Sequence, residues 1–214
     1  GAADGIADTE TVNFDASASF TNGTDNGASN ADKAALTIEV AASNTANNES
    51  AMGTITLNSD GKITETANAA DPTDLMHEYI VQSAGMTFDG SINLVGENNT
   101  ASSFVGEISM TATGLPADAK GRQQPDETTM EFDGTVNITD AEGYITDFTG
   151  EAKVTIEALK NADGSAFYLG EDLQQEATSM NLTGNLSTQT SAGNASVDVE
   201  TAITFDYSDL ALPT

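Results

Sequence analysis

A duplicated strand–loop–strand unit is the feature that most constrains the fold of this chain. The segment MTFDGSINL at residues 86–94 recurs as MEFDGTVNI at 130–138. A second pair, FVGEISMTA at 104–112 and FTGEAKVTI at 148–156, lies at the same offset of 44 residues (130 minus 86). In all four segments apolar and polar residues alternate, as in an antiparallel strand with one face in water. The repeat therefore predicts that one β-hairpin occurs twice in an antiparallel sheet.

Alternation of the same kind occurs along most of the chain and extends this prediction beyond the repeat. Further strand-like segments lie at 12–20, 36–40, 55–63, 180–188 and 197–207. We therefore predict a single all-β domain over residues 1–214: an antiparallel sandwich or barrel-like sheet of about ten strands with an internally duplicated β-hairpin. A loop at 114–128 that contains Pro and Gly separates the two copies of the hairpin.

Three segments depart from simple alternation. Asp71–Ile80 fits either a helix that begins near Pro72 or another strand, and Leu169–Ala177 is a second helix candidate. The run Asn58–Gly61 has the residues of a tight hairpin turn between two short strands.

Glycine occurs in the middle of several predicted strands, on their apolar face. These positions are Gly90, Gly106, Gly134, Gly150 and Gly184. Glycine weakens a strand interior, so its presence there needs a reason. If Leu94 pairs with Phe104, each glycine faces a large residue on the partner strand. The glycines then let the sheet curve, or they leave a slot for an inserted strand or ligand.

The charge balance excludes several classes of partner. The chain has 34 acidic residues against 6 basic ones, a net charge of −28 at pH 7. Nucleic acid needs clusters of Lys and Arg to neutralise its phosphates, and anionic membrane surfaces repel such a chain. No apolar run is long enough for a membrane-spanning helix. The charge indicates either solubility in a saline setting or binding of cations, which would screen the self-repulsion.

The sequence carries no recognisable catalytic constellation. The chain has no Cys, and His77 is its one His, which excludes thiol chemistry, the usual zinc sites and a Ser-His-Asp triad. It also lacks a phosphate-binding Gly-x-x-x-x-Gly-Lys-Ser/Thr loop. Carboxylates are so numerous that chance pairs are common, and a pair therefore carries no glycosidase signal. We predict that the protein is not an enzyme.

Calcium is the cofactor that the composition favours, because it binds carboxylate, amide and carbonyl oxygens in loops. The candidate ligands are Asp25, Asp32, Asp140, Glu142, Asp147 and Asp163. Asp and Asn are also ordinary turn formers, so each of these loops has a purely structural interpretation as well. The two hairpins also share acidic residues on their polar face: Asp89, Glu107, Asp133 and Glu151. These residues either form a solvated surface or bind cations or neighbouring molecules.

Composition also predicts the compartment. A β chain dominated by Asn, Asp, Ser, Thr, Gly and Ala is more typical of secreted, extracellular or cell-surface proteins than of cytosolic enzymes. The absence of Cys adds little to this prediction, because secreted proteins often carry disulfides. Gly1 in place of Met indicates a processed mature chain or a cloned fragment. If the source organism glycosylates Asn-x-Ser/Thr motifs, Asn22, Asn48 and Asn98 are the acceptors that best fit exposed loops.

These features predict a secreted structural protein: a self-assembling subunit of an extracellular filament, sheath or surface layer that forms a homopolymer. Assembly by strand addition would use a segment near a chain end. Residues 1–20 could form an N-terminal extension, and the best donor within it is Thr11–Phe20, with assembly positions Val12, Phe14, Ala16, Ala18 and Phe20. The alternative is that this segment is the first strand of its own domain. The alternative function is an extracellular adhesin or a β module that binds a glycan, a lipid or a small apolar ligand.

Overall fold

A single nine-stranded antiparallel sheet dominates the fold. The computed structural model describes residues 10–22, 29–67, 75–96, 98, 100–114, 125–161, 164, 167–169 and 172–207. The strands are β1 (Glu10–Asn22), β2 (Ser29–Asn44), β3 (Glu49–Ala67), β4 (Leu75–Val95), β5 (Ala101–Thr113), β6 (Glu127–Thr139), β7 (Ile145–Ala158), β8 (Tyr168–Leu169), β9 (Asp172–Leu173), β10 (Gln175–Thr190) and β11 (Gly193–Asp206). The described part of the chain is therefore all-β, as the alternation predicts.

The sheet is a meander that stays open. Its strand order is β1-β2-β3-β4-β5-β6-β7-β10-β11, and β8 and β9 form a separate two-stranded ribbon. Because almost every strand pairs with its neighbour in sequence, the sheet grows sideways as one layer and β1 and β11 become its edges. The sandwich or barrel closure that we predicted is not seen in the described residues. The described strands form a single open antiparallel sheet instead.

One consequence of a single layer is that the described residues form almost no buried core. Ala158, at 4% exposure, is the buried hydrophobic residue among them. The other apolar side chains of the strands are partly or largely exposed. Most domains bury the apolar side of a sheet against a second layer, and here the described strands supply only one.

Both helix candidates of the sequence lie in strands where the structure describes them. Leu75–Ile80 is the beginning of β4. Leu169–Ala177 contributes to β8, β9 and β10, and its backbone groups find partners outside any helix. The Leu159 amide donates to the Gln174 carbonyl at 2.8 Å, and the Gln174 amide donates to the Phe167 carbonyl at 3.0 Å. These longer-range hydrogen bonds override the local helical signal.

The predicted turn at Asn58–Gly61 is also wrong, because β3 runs straight through it. Strands β2 and β4 flank this segment on both sides and pair with it residue by residue. The irregular residues are accommodated by a β-bulge between Asp60 and Gly61, opposite β4. Because β3 is hydrogen-bonded to a strand on each side, this pairing outweighs the turn tendency of its local sequence.

The register of the hairpins differs from the one that we considered. Leu94 pairs with Ser102, and Phe104 pairs with Ile92. Glycine therefore faces glycine across the hairpin, rather than a large residue. The loop sets this register, because the Gly96 amide donates to the Thr100 carbonyl at 2.8 Å and closes the turn early. The β6–β7 loop closes in the same way, with the Asp140 amide donating to the Tyr144 carbonyl at 3.0 Å.

Candidate functional site

One face of the sheet is lined by four consecutive rows of residues that run across the strands. A methionine row contains Leu57, Met86, Met110, Met130, Met180 and Ile203. Beside it, a first aromatic row contains Ile55, Phe88, Ile108, Phe132, Ala152 and Leu182. Two further rows, described next, lie on the same side of the sheet. We call this side the apolar face.

The apolar face continues through two further rows. A glycine row contains Gly53, Gly90, Gly106, Gly134, Gly150 and Gly184, each facing the next across the ladder. A second aromatic row contains Ala51, Ile92, Phe104, Val136, Phe148 and Leu186. From β2 to β11 these four rows include no charged residue, and their one polar side chain is that of Thr201 on β11.

The glycine row is required by the close approach of neighbouring strands. A Cβ added to Gly90 would lie 2.6 Å from the Cα of Gly53, and one added to Gly106 would lie 2.6 Å from the Cα of Gly134. Real Cβ contacts are essentially never shorter than 3.0 Å. Any larger residue would push the strands apart, so the glycines serve the shape of the sheet, as glycine kinks do elsewhere.

Aromatic rings of the same chain lie over parts of the glycine row. Ring atoms of Phe88 come within 2.8 Å of a Cβ built on Gly53, and those of Phe148 within 2.9 Å of one built on Gly184. Between these two positions the rings form a continuous series: Phe88 to Phe104 at 6.1 Å, Phe104 to Phe132 at 5.6 Å and Phe132 to Phe148 at 6.1 Å between centroids. These separations are favourable for tilted ring pairs. Rings thus occupy the space above Gly53 and Gly184 that a slot for a ligand or strand would need.

The methionine row is open to solvent in the described structure. Met86, Met110, Met130 and Met180 are 45%, 44%, 41% and 43% exposed. Ile108 and Leu186, on the two aromatic rows, are exposed as well. Monomeric soluble proteins rarely expose a contiguous apolar patch of more than a few hundred Å². The apolar face is therefore the strongest candidate for a functional surface.

The opposite face carries the charge. Asp89, Glu107, Asp133 and Glu151 stand in directly opposed positions on β4, β5, β6 and β7. Like charges directly opposite one another destabilise a sheet, so we expect the sheet to be more stable where salt or cations screen this row. No group of three or more His or carboxylate side chains suited to a metal ion occurs in the part of the chain that the structure describes.

One ion pair lies beside this acidic row. Lys153 Nζ is 2.7 Å from Glu131 Oε1, and both side chains are about half exposed, at 49% and 48%. The hydrogen bond to Glu131 raises the pKa of Lys153 above its usual value, and the negative charge of Glu131 adds to the effect. The pair neutralises the carboxylate of Glu131 next to the acidic row.

Two of the predicted calcium ligands, Asp140 and Asp147, act as local hydrogen-bond acceptors, and Glu142 contributes its backbone amide to the same turn. Asp140 Oδ1 accepts from the amides of Glu142 at 3.0 Å and Tyr144 at 2.8 Å and so closes the β6–β7 turn. Asp147, on β7, accepts a hydrogen bond from the Asn137 side chain. Asp32 lies in β2, where it pairs with Asn22 of β1 and Gly61 of β3. Asp25 and Asp163 lie outside the described residues.

The predicted assembly positions lie in β1. Val12, Phe14, Ala16, Ala18 and Phe20 all belong to the stretch that pairs antiparallel with β2, from Glu10 opposite Asn44 to Asn22 opposite Asp32. The segment is thus an edge strand of its own sheet, and whether it also joins a neighbouring copy stays a prediction.

The glycosylation candidates occupy strand ends and loops. Asn22 ends β1. Asn48 lies in the β2–β3 turn and Asn98 in the β4–β5 loop, where both are exposed and have positive φ values of 57° and 58°. Asn is one of the few residues that adopts this left-handed conformation readily. Both side chains therefore belong to exposed turns, as an acceptor site requires.

The alignment of the glycines is the feature that sequence reasoning missed, although a signal was present. Gly90 lies six residues before Gly96, and Gly106 lies six residues after Thr100. Gly134 and Gly150 stand at the same distance from Asp140 and Tyr144, the residues that close the β6–β7 loop. Equal distances from both ends of a loop place two residues opposite each other in a hairpin. Counting from the loops gives the glycine row once the residues that close each loop are known, and those residues come from the structure.

Neither a spanning helix nor a known relative adds to this description. Among the described residues no helix has the length and apolar character needed to cross a bilayer. Comparisons with known protein families, with curated proteins and with solved structures found no match to this chain.

Proposed function

We propose that this protein is a non-enzymatic structural subunit that associates with copies of itself, in an extracellular filament, sheath or surface layer. The observation that carries the proposal is the uncovered apolar face. Four rows without a charged residue cross the sheet from β2 to β11, and the methionine row is more than 40% exposed at Met86, Met110, Met130 and Met180.

The hydrophobic effect supplies the driving force for this association. Removing apolar surface from water contributes about 25 cal/mol per Å², so covering one half-exposed Met or Leu side chain contributes on the order of 1 kcal/mol. The apolar face presents many such side chains at once. A subunit whose sheet has one layer gains this stabilisation only when something else supplies the second layer.

The two edges of the sheet offer a second route of association, by strand addition. All eight successive pairings in the sheet are antiparallel, so β1 and β11 run in the same direction. Joining β11 of one copy to β1 of the next would give a parallel pair. Two copies related by a two-fold axis would instead join β1 to β1 as an antiparallel pair, which is slightly more stable. In this proposal β1 keeps its pairing with β2 and uses its other edge.

Calcium remains the proposed cofactor of assembly. The support for it is the repulsion along the acidic row of Asp89, Glu107, Asp133 and Glu151, which divalent cations would screen without a formed ligand cluster among the described residues. An extracellular location, where calcium is abundant and a chain without Cys has no thiol to oxidise, accords with this proposal.

A binding module for a small apolar ligand is the second candidate function. One observation favours it: a depression of about 240 Å³ at one end of the sheet, lined in part by Ala42, Ala51 and Leu94. Ligand pockets usually measure about 300–1,000 Å³ and enclose most of the ligand, whereas this depression is smaller and open. Self-association therefore accounts for more of the exposed apolar surface.

The oligomeric state of the purified chain tests the proposal. Sedimentation equilibrium from micromolar to millimolar concentration, with calcium and then with a chelator, gives the mass of the particle, and electron microscopy gives its form. We expect a mass that rises with concentration and falls on chelation. A monomer at every concentration in both buffers would contradict self-association, and an unchanged assembly after chelation would contradict the role of calcium alone.

A further inference from the structure

We propose that two copies of this chain pack their apolar faces against each other and form a two-layered sandwich. This inference rests on the proposed self-association and names the surface that performs it. Its partner is a second copy of the chain, related to the first by a two-fold axis.

The area of the apolar face is sufficient for a stable dimer. Nine strands about 4.8 Å apart and four rows about 6.8 Å apart give a face of roughly 1,100 Å² in each copy. Two such faces bury roughly 2,200 Å², which lies in the range of obligate homodimers, roughly 2,000–5,000 Å². The described stretches leave gaps of ten residues or fewer between strands, the longest at 115–124, and these are too short to supply a second nine-stranded layer.

The distribution of charge favours a second copy as the occupant. A net charge of −28 opposes association wherever carboxylates meet. In a face-to-face pair the carboxylates of the acidic row point away from the interface in both copies. Sheets pack about 10 Å apart, so these outer charges are separated by about 20 Å, well beyond the Debye length of about 8 Å at physiological ionic strength. A positively charged partner would instead be drawn to the opposite face, which carries the acidic row.

The chemistry of the face also fits a copy of itself. An uncharged sheet surface of Met, Phe, Ile and Leu is complemented by another such surface, as in the inner faces of a sandwich. The side chains of Met110 and Met130 are unbranched and adapt to the surface that they meet. In a two-fold arrangement each contact occurs twice, so one compatible pairing of rows is repeated across the interface.

The introduction of positive charge at the centre of the apolar face tests the inference. We would compare the wild-type chain with Met110→Lys/Met130→Lys, which places two ammonium groups in the proposed interface. The matched control is Val105→Lys, because Val105 lies on β5 like Met110 but on the opposite face, where it is 58% exposed. A milder pair, Met110→Gln and Met130→Gln, serves if the Lys variant loses its strand content by circular dichroism.

Sedimentation equilibrium gives the dimer dissociation constant of each chain. We expect the double Lys variant to weaken the dimer at least about a hundredfold, since unpaired charges are costly to bury, and the double Gln variant to weaken it less. Val105→Lys should remain close to wild type. Association of the face variants at wild-type strength would overturn face-to-face packing and leave self-association by the edges standing. A wild-type chain that stays monomeric would overturn both proposals. Binding of that monomer to neutral phosphatidylcholine vesicles would show that the apolar face meets lipid instead.

Discussion

Gly106 and Gly134 face each other across β5 and β6 so closely that a Cβ on Gly106 would lie 2.6 Å from the Cα of Gly134. The same relationship holds between Gly90 and Gly53. Glycine in a strand interior is ordinarily a weakness, but here it is the condition for the strands to approach. The shape of the sheet and the placement of its aromatic rings both depend on this row.

Replacing a glycine of this row should therefore destabilise the sheet. We expect Gly90→Ala to lower the free energy of unfolding by about 2 kcal/mol or more, because the new methyl group meets the backbone of β3. Gly85→Ala is the matched control on the same strand, since its Cβ would meet mainly the Asn58 side chain, which can rotate away. Urea denaturation measures both, and equal effects would show that steric contact with backbone is not the cause.

Neutralising the middle of the acidic row should stabilise the protein. Asp133 lies directly opposite both Glu107 and Glu151, so Asp133→Asn removes two like-charge contacts. We expect a gain of about 0.5 kcal/mol in low salt that diminishes in high salt, where the charges are already screened. Glu142→Gln, in the exposed β6–β7 turn, is the control for a change of net charge alone. A gain of the same size in both variants would contradict a specific effect of the row.

The ion pair between Lys153 and Glu131 predicts how Lys153 titrates. Lys153 has a raised pKa in the folded state because of Glu131, so the stabilisation from the pair is complete below the ordinary Lys pKa and is lost as the pH rises through the raised value. We expect the pKa of Lys153, followed by the ¹³Cε chemical shift, to fall in Glu131→Gln. Glu142→Gln should leave it in place. An unchanged Lys153 titration in Glu131→Gln would mean that the pair is not maintained in solution.

Asp140 predicts a structural effect that does not need calcium. Its carboxylate accepts hydrogen bonds from the Glu142 and Tyr144 amides, so Asp140→Ala should lower the stability by about 1 kcal/mol in the presence of a chelator. Asp140→Asn keeps an acceptor oxygen and should recover most of the loss. If Asp140→Ala has no effect with chelator but abolishes stabilisation by added calcium, Asp140 is a ligand and not a turn acceptor.

Much of the sheet could be predicted from alternation, and its register could not. The pattern from Met86 to Leu94 gives both the strand and the face on which each side chain lies. The register depends on how the loop closes, and the bond from Gly96 to Thr100 is not evident from composition or periodicity. The helix prediction for Leu169–Ala177 was wrong for a related reason. Hydrogen bonds with the segment after β7 determine its conformation, and these partners cannot be read from the local sequence.

The candidate site was predicted only in part for a different reason. Alternation showed that Met110 and Met130 lie on an apolar face, but it does not say what covers that face. A sandwich was the natural expectation, since isolated sheets seldom leave such a face in water. The described strands of one chain form a single layer, and we propose that a second copy of the chain supplies the covering layer.

The rate of methionine oxidation in the unmodified protein tests most directly whether a second copy covers the apolar face. Met86, Met110, Met130 and Met180 lie on that face, whereas Met52 lies on the opposite face at 54% exposure and is an internal standard. Limited peroxide treatment followed by peptide mass spectrometry gives the rate at each site. In the associated protein we predict that the four face methionines oxidise at least about tenfold more slowly than Met52, and that the rates converge on dilution. Equal rates at all five sites at every concentration would contradict the account.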